Sequence, residues 1–351
     1  MKQQAITSKR QRKLVPQKFK ENTVLSFDLP SGEVIKRMVV TVKGWVQFDY
    51  DTETPTPAWT YAGIAHELFK DINIQTDGGT TRKKVDVKWM NDQAKIINGS
   101  EAPTVHQTNS GVVTVATRGL PSAMVTSAQK LAFIESFEIP FEFVIAPASA
   151  LSYLNLRGKN ASVIEFNTRR IMDLLLASDD MADSTAFDID IEVSLTTAPH
   201  YIGQNFLTWR QTQKIIDFKG AQNSTPVELN RGANIAGFWL EAVKGVDKRP
   251  LSVDEFSQCE FQLVRNGTEV LRHFNGYQLI AENIAGTPLD EVLEGCGYVN
   301  LLNNKDYRTA LQTGSGSGVQ ALDLLVTLPS SLDYTNPVSL KIKQDELTNI
   351  G

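Results

Sequence analysis

One pattern in this chain occurs twice, and no other feature limits the possible folds as much. Leu29, Gly32 and Ile35 form L-x-x-G-x-x-I, closed by Val42-Lys43-Gly44. Two hundred positions later Leu229, Gly232 and Ile235 repeat it, closed by Val243-Lys244-Gly245. Three further echoes follow in the same order. Ile72-Asn73-Ile74 with Asp77-Gly78-Gly79 resembles Phe261-Gln262-Leu263 with Asn266-Gly267. Tyr153-Leu154-Asn155-Leu156 resembles Tyr298-Val299-Asn300-Leu301, and the run from Ala186 to Val193 resembles the run from Ala321 to Leu328. Collinear echoes of this kind point to one unit duplicated in tandem.

The repeated unit reads as β-sheet. Phe187, Ile189, Ile191, Val193 and Leu195 alternate with Asp188, Asp190, Glu192 and Ser194. Ile72 and Ile74, Val85, Val87 and Trp89, Phe137 to Ile145, and Val338 to Ile342 alternate in the same way. Period two with one wet face marks antiparallel sheet packed on a second sheet. Turn chemistry separates these runs at Pro30-Ser31-Gly32, Asn266-Gly267 and Asn275-Gly276. Short helices are expected at 148–154, 168–177 and 288–293.

At 351 residues the chain is long enough for two domains, each with its own core. The expected division is a basic arm over 1–21, a first sandwich over 22–199, a linker over 200–213, a second sandwich over 214–345 and a tail over 346–351. The echo spacing falls from 200 at Leu29 to 188 at Gly79 and 145 at Tyr153, so the first copy holds extra residues. We place the longer excursion at Asp92–Ala128, projecting from the first barrel, and a shorter one at Asp49–Thr60.

The formal net charge of -5 is unevenly spread. Lys2, Lys9, Arg10, Arg12, Lys13, Lys18 and Lys20 stand in the first twenty residues with no acid among them. Such an arm is expected to be extended or disordered until an anionic partner orders it. A lipid surface, nucleic acid and the acidic body of a neighbouring subunit all qualify, and a solvated tail is the plain alternative. The basic start has no apolar core after it, so no secretory signal is expected, and the chain is expected to be made in a cytoplasm.

Catalytic patterns are sparse. His66, His106, His200 and His273 do not cluster, and His66-Glu67-Leu68-Phe69-Lys70 has Lys where a zinc-protease helix needs its second histidine. Gly314 to Gly318 lacks the lysine of a phosphate loop. Asp49, Asp51 and Glu53, and Asp179, Asp180 and Asp183, are the weak calcium candidates, without the glycine turn of an EF-hand. Trp45 and Trp239 lie in the first echo and are read as packing residues. Cys259 and Cys296 are read as buried thiols, one disulfide being the alternative. No catalytic residue, cofactor or small-molecule substrate is assigned.

A basic arm, two tandem antiparallel barrels and no active site together resemble the double jelly-roll major capsid proteins of tailless icosahedral phages with an internal membrane. The resemblance implies an all-β fold of two eight-stranded jelly rolls with short connecting helices. It implies homotrimers whose six barrels form a pseudo-hexagonal block that tiles virion facets. Its partners would be further copies of itself, a vertex protein, and lipid or genome through the arm. The protein would reside in the virion, assembled in the host cytoplasm. On this resemblance, removing residues 1–20 should leave soluble trimers and impair particle formation. The competing reading is a carbohydrate-binding or hydrolytic double β-sandwich, with Trp59 beside Asp51 and Glu53 as its site. A single-barrel spike or vertex protein fits the duplication less well.

Overall fold

Alternating sequence becomes strand in both halves of the chain. The structure is a computed structural model that describes residues 10–50, 63–98, 104–107, 113–116, 129–142, 152–176, 181–198, 207–286, 292–304 and 306–348. The chain divides into two units, Met1–Phe206 and Leu207–Gly351.

The first unit holds β1 (Arg10–Lys13), β2 (Gln17–Lys18), β3 (Val24–Asp28), β4 (Val34–Tyr50), β5 (Phe69–Thr76), β6 (Thr80–Val85), β7 (Thr104–Gln107), β8 (Val113–Ala116), β9 (Lys130–Pro140), β10 (Leu154–Asn155), β11 (Val163–Thr168) and β12 (Met181–Ala198). Helix α1 (Ile64–Leu68) precedes β5 and α2 (Val87–Asn98) follows β6. The second unit holds β13 (Thr208–Phe218), β14 (Gln222–Glu228), β15 (Asn234–Lys244), β16 (Arg249–Pro250), β17 (Glu260–Arg265), β18 (Glu269–Asn275), β19 (Cys296–Asn300), β20 (Leu311–Gln312), β21 (Leu322–Leu328) and β22 (Val338–Thr348). Helix α3 (Val253–Ser257) precedes β17 and α4 (Gly276–Gly286) follows β18.

The strand order is the same in both units. In the first, β1 and β2 pair with β12, and the sheet continues through β4 to β9; the other sheet runs β3-β11-β5-β6. In the second, β13-β22-β15-β19 form one sheet and β14-β21-β17-β18 the other. Counting the eight principal strands by chain order, one sheet holds the first, eighth, third and sixth, and the other the second, seventh, fourth and fifth. That is jelly-roll order, so the all-β double jelly roll is the fold.

The first echo falls on matching corners. Gly32 and Gly232 both have positive φ, +78° and +98°. Leu29 and Leu229 donate their N–H groups to the carbonyls of Ser162, just before β11, and Leu322, at the start of β21. Registers match too: Ile72 and Ile74 face Phe166 and Ile164, as Phe261 and Leu263 face Val326 and Leu324. The last two echoes are misaligned. The counterpart of β10 is β20, because Leu154 pairs with Ile35 as Leu311 pairs with Ile235. The counterpart of β12 is β22, not β21, because Val193 faces Val40 as Ile342 faces Leu240. Apolar alternation repeats in every strand of a sandwich, so similar runs matched out of turn.

The structure also corrects several boundaries. Residues 10–18 of the expected arm are the first strand of the first jelly roll, and Phe19 is buried against Phe69 and Phe187, with ring centroids 6.4 and 5.8 Å away. β13 begins inside the expected linker, and β22 runs into the expected tail, with Leu347 buried. The Asp92–Ala128 excursion contributes the end of α2 and the β7–β8 hairpin. Val105 of β7 pairs with Ile134 of β9, so this described part extends the sheet instead of leaving it. The Asp49–Thr60 excursion lies outside the described residues beyond Tyr50, as do most of the expected helices at 148–154 and 288–293.

Local capping explains the helices that alternation hid. Asp86 accepts the N–H of Trp89 at 2.8 Å and turns the chain into α2, where a strand through Trp89 was expected. Asn275 and Gln278 cap one another's N–H groups at 2.8 and 3.1 Å, so Asn275-Gly276 starts α4 and is no hairpin turn. Thr168, the expected start of a helix, ends β11, with its Oγ1 donating to the Lys20 carbonyl at 2.6 Å. Only a 3₁₀ turn at Ile171–Leu174 follows.

Gly44 of β4 stands opposite Ile189 of β12 in register. A Cβ built there would lie 2.0 Å from the Asp188 carbonyl oxygen. Gly44→Ala should therefore destabilise the first unit by about 2–3 kcal/mol, measured as a lower urea midpoint at unchanged slope.

Candidate assembly surfaces

The first strand of the first jelly roll is held by charge. β12 turns Ile189, Ile191 and Val193 into the core, which leaves Asp188, Asp190 and Glu192 on its other face. Lys18, directly opposite Asp190 in register, reaches Asp188 at 2.6 Å and Asp190 at 3.1 Å. Lys13 reaches Glu192 at 3.5 Å, and Lys43 of β4 reaches it at 2.5 Å from the other side. Backbone bonds complete the docking: Leu14 and Phe19 donate to Val193 and Ile189 at 2.9 and 2.8 Å.

The seven arm cations therefore divide. Lys2 and Lys9 lie outside the described residues. Arg10 opens β1, paired in register with Thr197. Arg12 and Lys20 are exposed, and Lys13 and Lys18 engage β12. An anionic partner for part of the arm is thus an acidic strand of the same chain. The alternation of β12 already encodes this partnership, since its acids Asp188, Asp190 and Glu192 are spaced two apart.

The second jelly roll solves the same joint differently. Lys18 faces Asp190, whereas at the matching place Asp217 faces Ser339, whose hydroxyl donates to the carboxylate at 2.6 Å. Its β22 also carries a buried polar group of its own. Asp345 accepts from Trp209 Nε1 at 3.0 Å, Gln211 Nε2 at 2.7 Å and Tyr298 OH at 3.0 Å. Lys343, fully buried, donates to Glu241 at 2.7 Å. Burial, reinforced by Asp345, pushes the Tyr298 phenol well above its usual range. Such a group positions strands through directional bonds that leucines could not supply.

The remaining candidates have structural settings. His66 is buried, its Nδ1 accepting the Lys88 N–H at 3.2 Å, and its neighbour Glu67 faces Arg169 at 3.5 Å. Asp49 is exposed at the end of β4. Asp51, Glu53, Asp179 and Asp180 lie outside the described residues, and nothing is described of the Asp183 side chain. Register brings Tyr50 opposite Met181. Among the described residues no group of three His, Cys, Asp or Glu side chains is placed to hold a metal ion. Cys259 and Cys296 are buried thiols, and burial pushes the Cys259 thiol up to about 12. A shallow depression beside Lys214 and Glu228–Gly232 carries no aromatic ring.

The ion pairs set the pH window of the β1/β2 strand. Hydrogen bonding from Lys43 holds the Glu192 carboxyl below its ordinary 4.5, so its contribution is present above that value and lost as pH falls through the folded one. Bonds to Asp188 and then Asp190 raise Lys18 above 10.5, so its contribution is lost only in strong alkali. Amide exchange at Leu14 and Phe19, corrected for intrinsic rates, should accelerate roughly tenfold at pH 3 or in 1 M salt, while β9 amides change less.

No protein-family model matches the sequence, and no curated protein matches it. Solved structures do. The STIV major capsid protein superposes with a TM-score of 0.63 at 10% identity, covering 97% of each chain. The PBCV-1 virus capsid protein gives 0.61 at 12% identity, over 97% of this chain and 93% of that one. The major capsid protein P2 of bacteriophage PM2 gives 0.51 at 11% identity, over 98% and 99%. From its first described strand to its last, this chain has the double jelly-roll fold of viral major capsid proteins.

Proposed function

We propose that this chain is a major capsid protein, a structural component of an icosahedral virion. The observation that carries the reading is the duplication: two complete jelly rolls of identical strand order stand in one chain, and the fold matches capsid proteins over nearly the full length of both partners. Three copies of a two-barrel chain present six similar barrels, and a threefold block of that kind tiles a near-hexagonal lattice. The repeating partner is the chain itself, and a vertex protein closes the fivefold positions where hexagons cannot fit.

The virion encloses a membrane in this reading, and assembly takes place in the host cytoplasm. Lys2 and Lys9, with Arg10, Arg12 and Lys20, face the lipid or genome, while Lys13 and Lys18 also hold β12. Near an anionic surface each cation contributes about 1 kcal/mol. The sugar-binding alternative gains no support, since Trp59, Asp51 and Glu53 lie outside the described residues and the one depression noted above lacks a stacking ring.

Negative-stain images of the purified chain should show trimers with six lobes; a uniform monomer would sink the capsomer. Because residues 10–18 are a barrel strand, the informative deletion is 1–9, not 1–20. It should leave the melting curve of the trimer unchanged and reduce the yield of closed, lipid-containing particles.

A further inference from the structure

Helix α4 has a face that the second jelly roll does not use. Its inner positions are all committed. Gly276 lies so close to α3 that a Cβ would sit 1.9 Å from the Phe256 carbonyl oxygen. Leu279 and Ile280 are buried in the core of the unit. Asn283 bonds both the N–H and the carbonyl of Tyr298, at 2.6 and 2.9 Å, and so fixes the helix to β19.

On the other side Tyr277 is 65% and Ile284 41% exposed, and Ala281 and Ala285 are exposed between and beside them. Spacings of four, three and one residues put these four side chains on one stripe that adjoins the core face, Ile284 lying one turn on from Ile280, and extends away from it to Ala281 and Ala285. Apolar side chains that continue past the buried face of a helix are built to be covered by something further.

The duplication says by what. Helix α2 holds the same place in the first jelly roll, between the fifth and sixth principal strands. There the first two turns are covered: Val87, Lys88, Trp89, Met90, Asp92 and Gln93 are each at most 3% exposed, and only Asn91 between them is half-buried. One copy of a repeated element is covered and the other is bare, within one chain. In a ring of six similar barrels, equivalent elements meet equivalent neighbours, and the neighbour missing at α4 is supplied by the next subunit.

We propose that the Tyr277–Ala281–Ile284–Ala285 stripe of α4 docks against a second copy of this chain and is a subunit contact of the trimer. This rests on the capsid reading and names the surface on which that reading operates. Tyr277 is the expected anchor, because an aromatic ring brings a large apolar area at little entropic cost.

The test compares the full-length wild type with Tyr277→Glu, Ile284→Glu and the milder Tyr277→Ser, by analytical ultracentrifugation across a hundredfold concentration range. Circular dichroism and melting curves verify that each variant is folded. The expected result is a folded chain whose trimer dissociates at least tenfold more readily in each single variant, with Tyr277→Ser the least affected. A wild-type trimer that all three folded variants leave intact overturns the docking and spares the capsomer. A wild type that stays monomeric at every concentration overturns both. Unchanged trimers that lose binding to vesicles of anionic phospholipid would assign the stripe to a lipid surface, which also overturns the proposal. Should the glutamates prevent folding, Tyr277→Ser alone decides between these results.

Discussion

The long ladder between β4 and β12 is the constraint on which the first jelly roll depends. It runs from Val34 opposite Ala198 to Tyr50 opposite Met181, with two irregularities. A one-residue slip in such a pair would move Ile189, Ile191 and Val193 from the core to the wet face and bring Asp188, Asp190 and Glu192 inside. Burying unpaired carboxylates is costly enough to make that register the single low-energy one. Once β12 is fixed, its outward acids define where a basic strand can lie, and β1 and β2 follow. The corresponding β15–β22 ladder in the second unit does the same with a different complement, since β22 is buried along almost its whole length.

The two jelly rolls have kept their topology and exchanged their chemistry. Corners that need a left-handed backbone retain glycine at Gly32 and Gly232. Core pairs retain size and polarity, as with Ile74 and Leu263. Joints and helices have diverged: a lysine-to-carboxylate joint at Lys18 stands where a serine-to-carboxylate joint stands at Asp217, and an α2 covered over its first two turns where a half-bare α4 stands. Such divergence is what a tandem duplication allows once each copy has different neighbours.

Much of this was legible in the residues. Period-two alternation located β5, β9, β12 and β22, and the L-x-x-G-x-x-I pattern located the repeat and both of its tight corners. What failed was the order of the later echoes, because alternation marks a strand without saying which strand it is. Helices α2 and α4 were missed because a single capping side chain, Asp86 or Asn275, redirected a segment whose apolar pattern also suited a strand or turn. Within its own twenty residues the charge of the arm reads as a tail. Set against the acids of β12, more than 160 positions away, the same lysines read as one side of a joint. The stripe on α4 was invisible for a related reason: which side of an apolar helix stays bare depends on what packs there.

The unlike joints at the first strands have a consequence for how a tandem repeat reaches its native state. Duplicated domains risk exchanging equivalent strands while they fold, since each groove accepts a similar backbone. Here β13 laid along β12 would set Asp217 against Asp188 and Asp190, carboxylate upon carboxylate, and β2 laid along β22 would leave Lys18 facing only the hydroxyl of Ser339. The charge pattern therefore acts as a key that fits one lock, keeping each nascent barrel to its own opening strand.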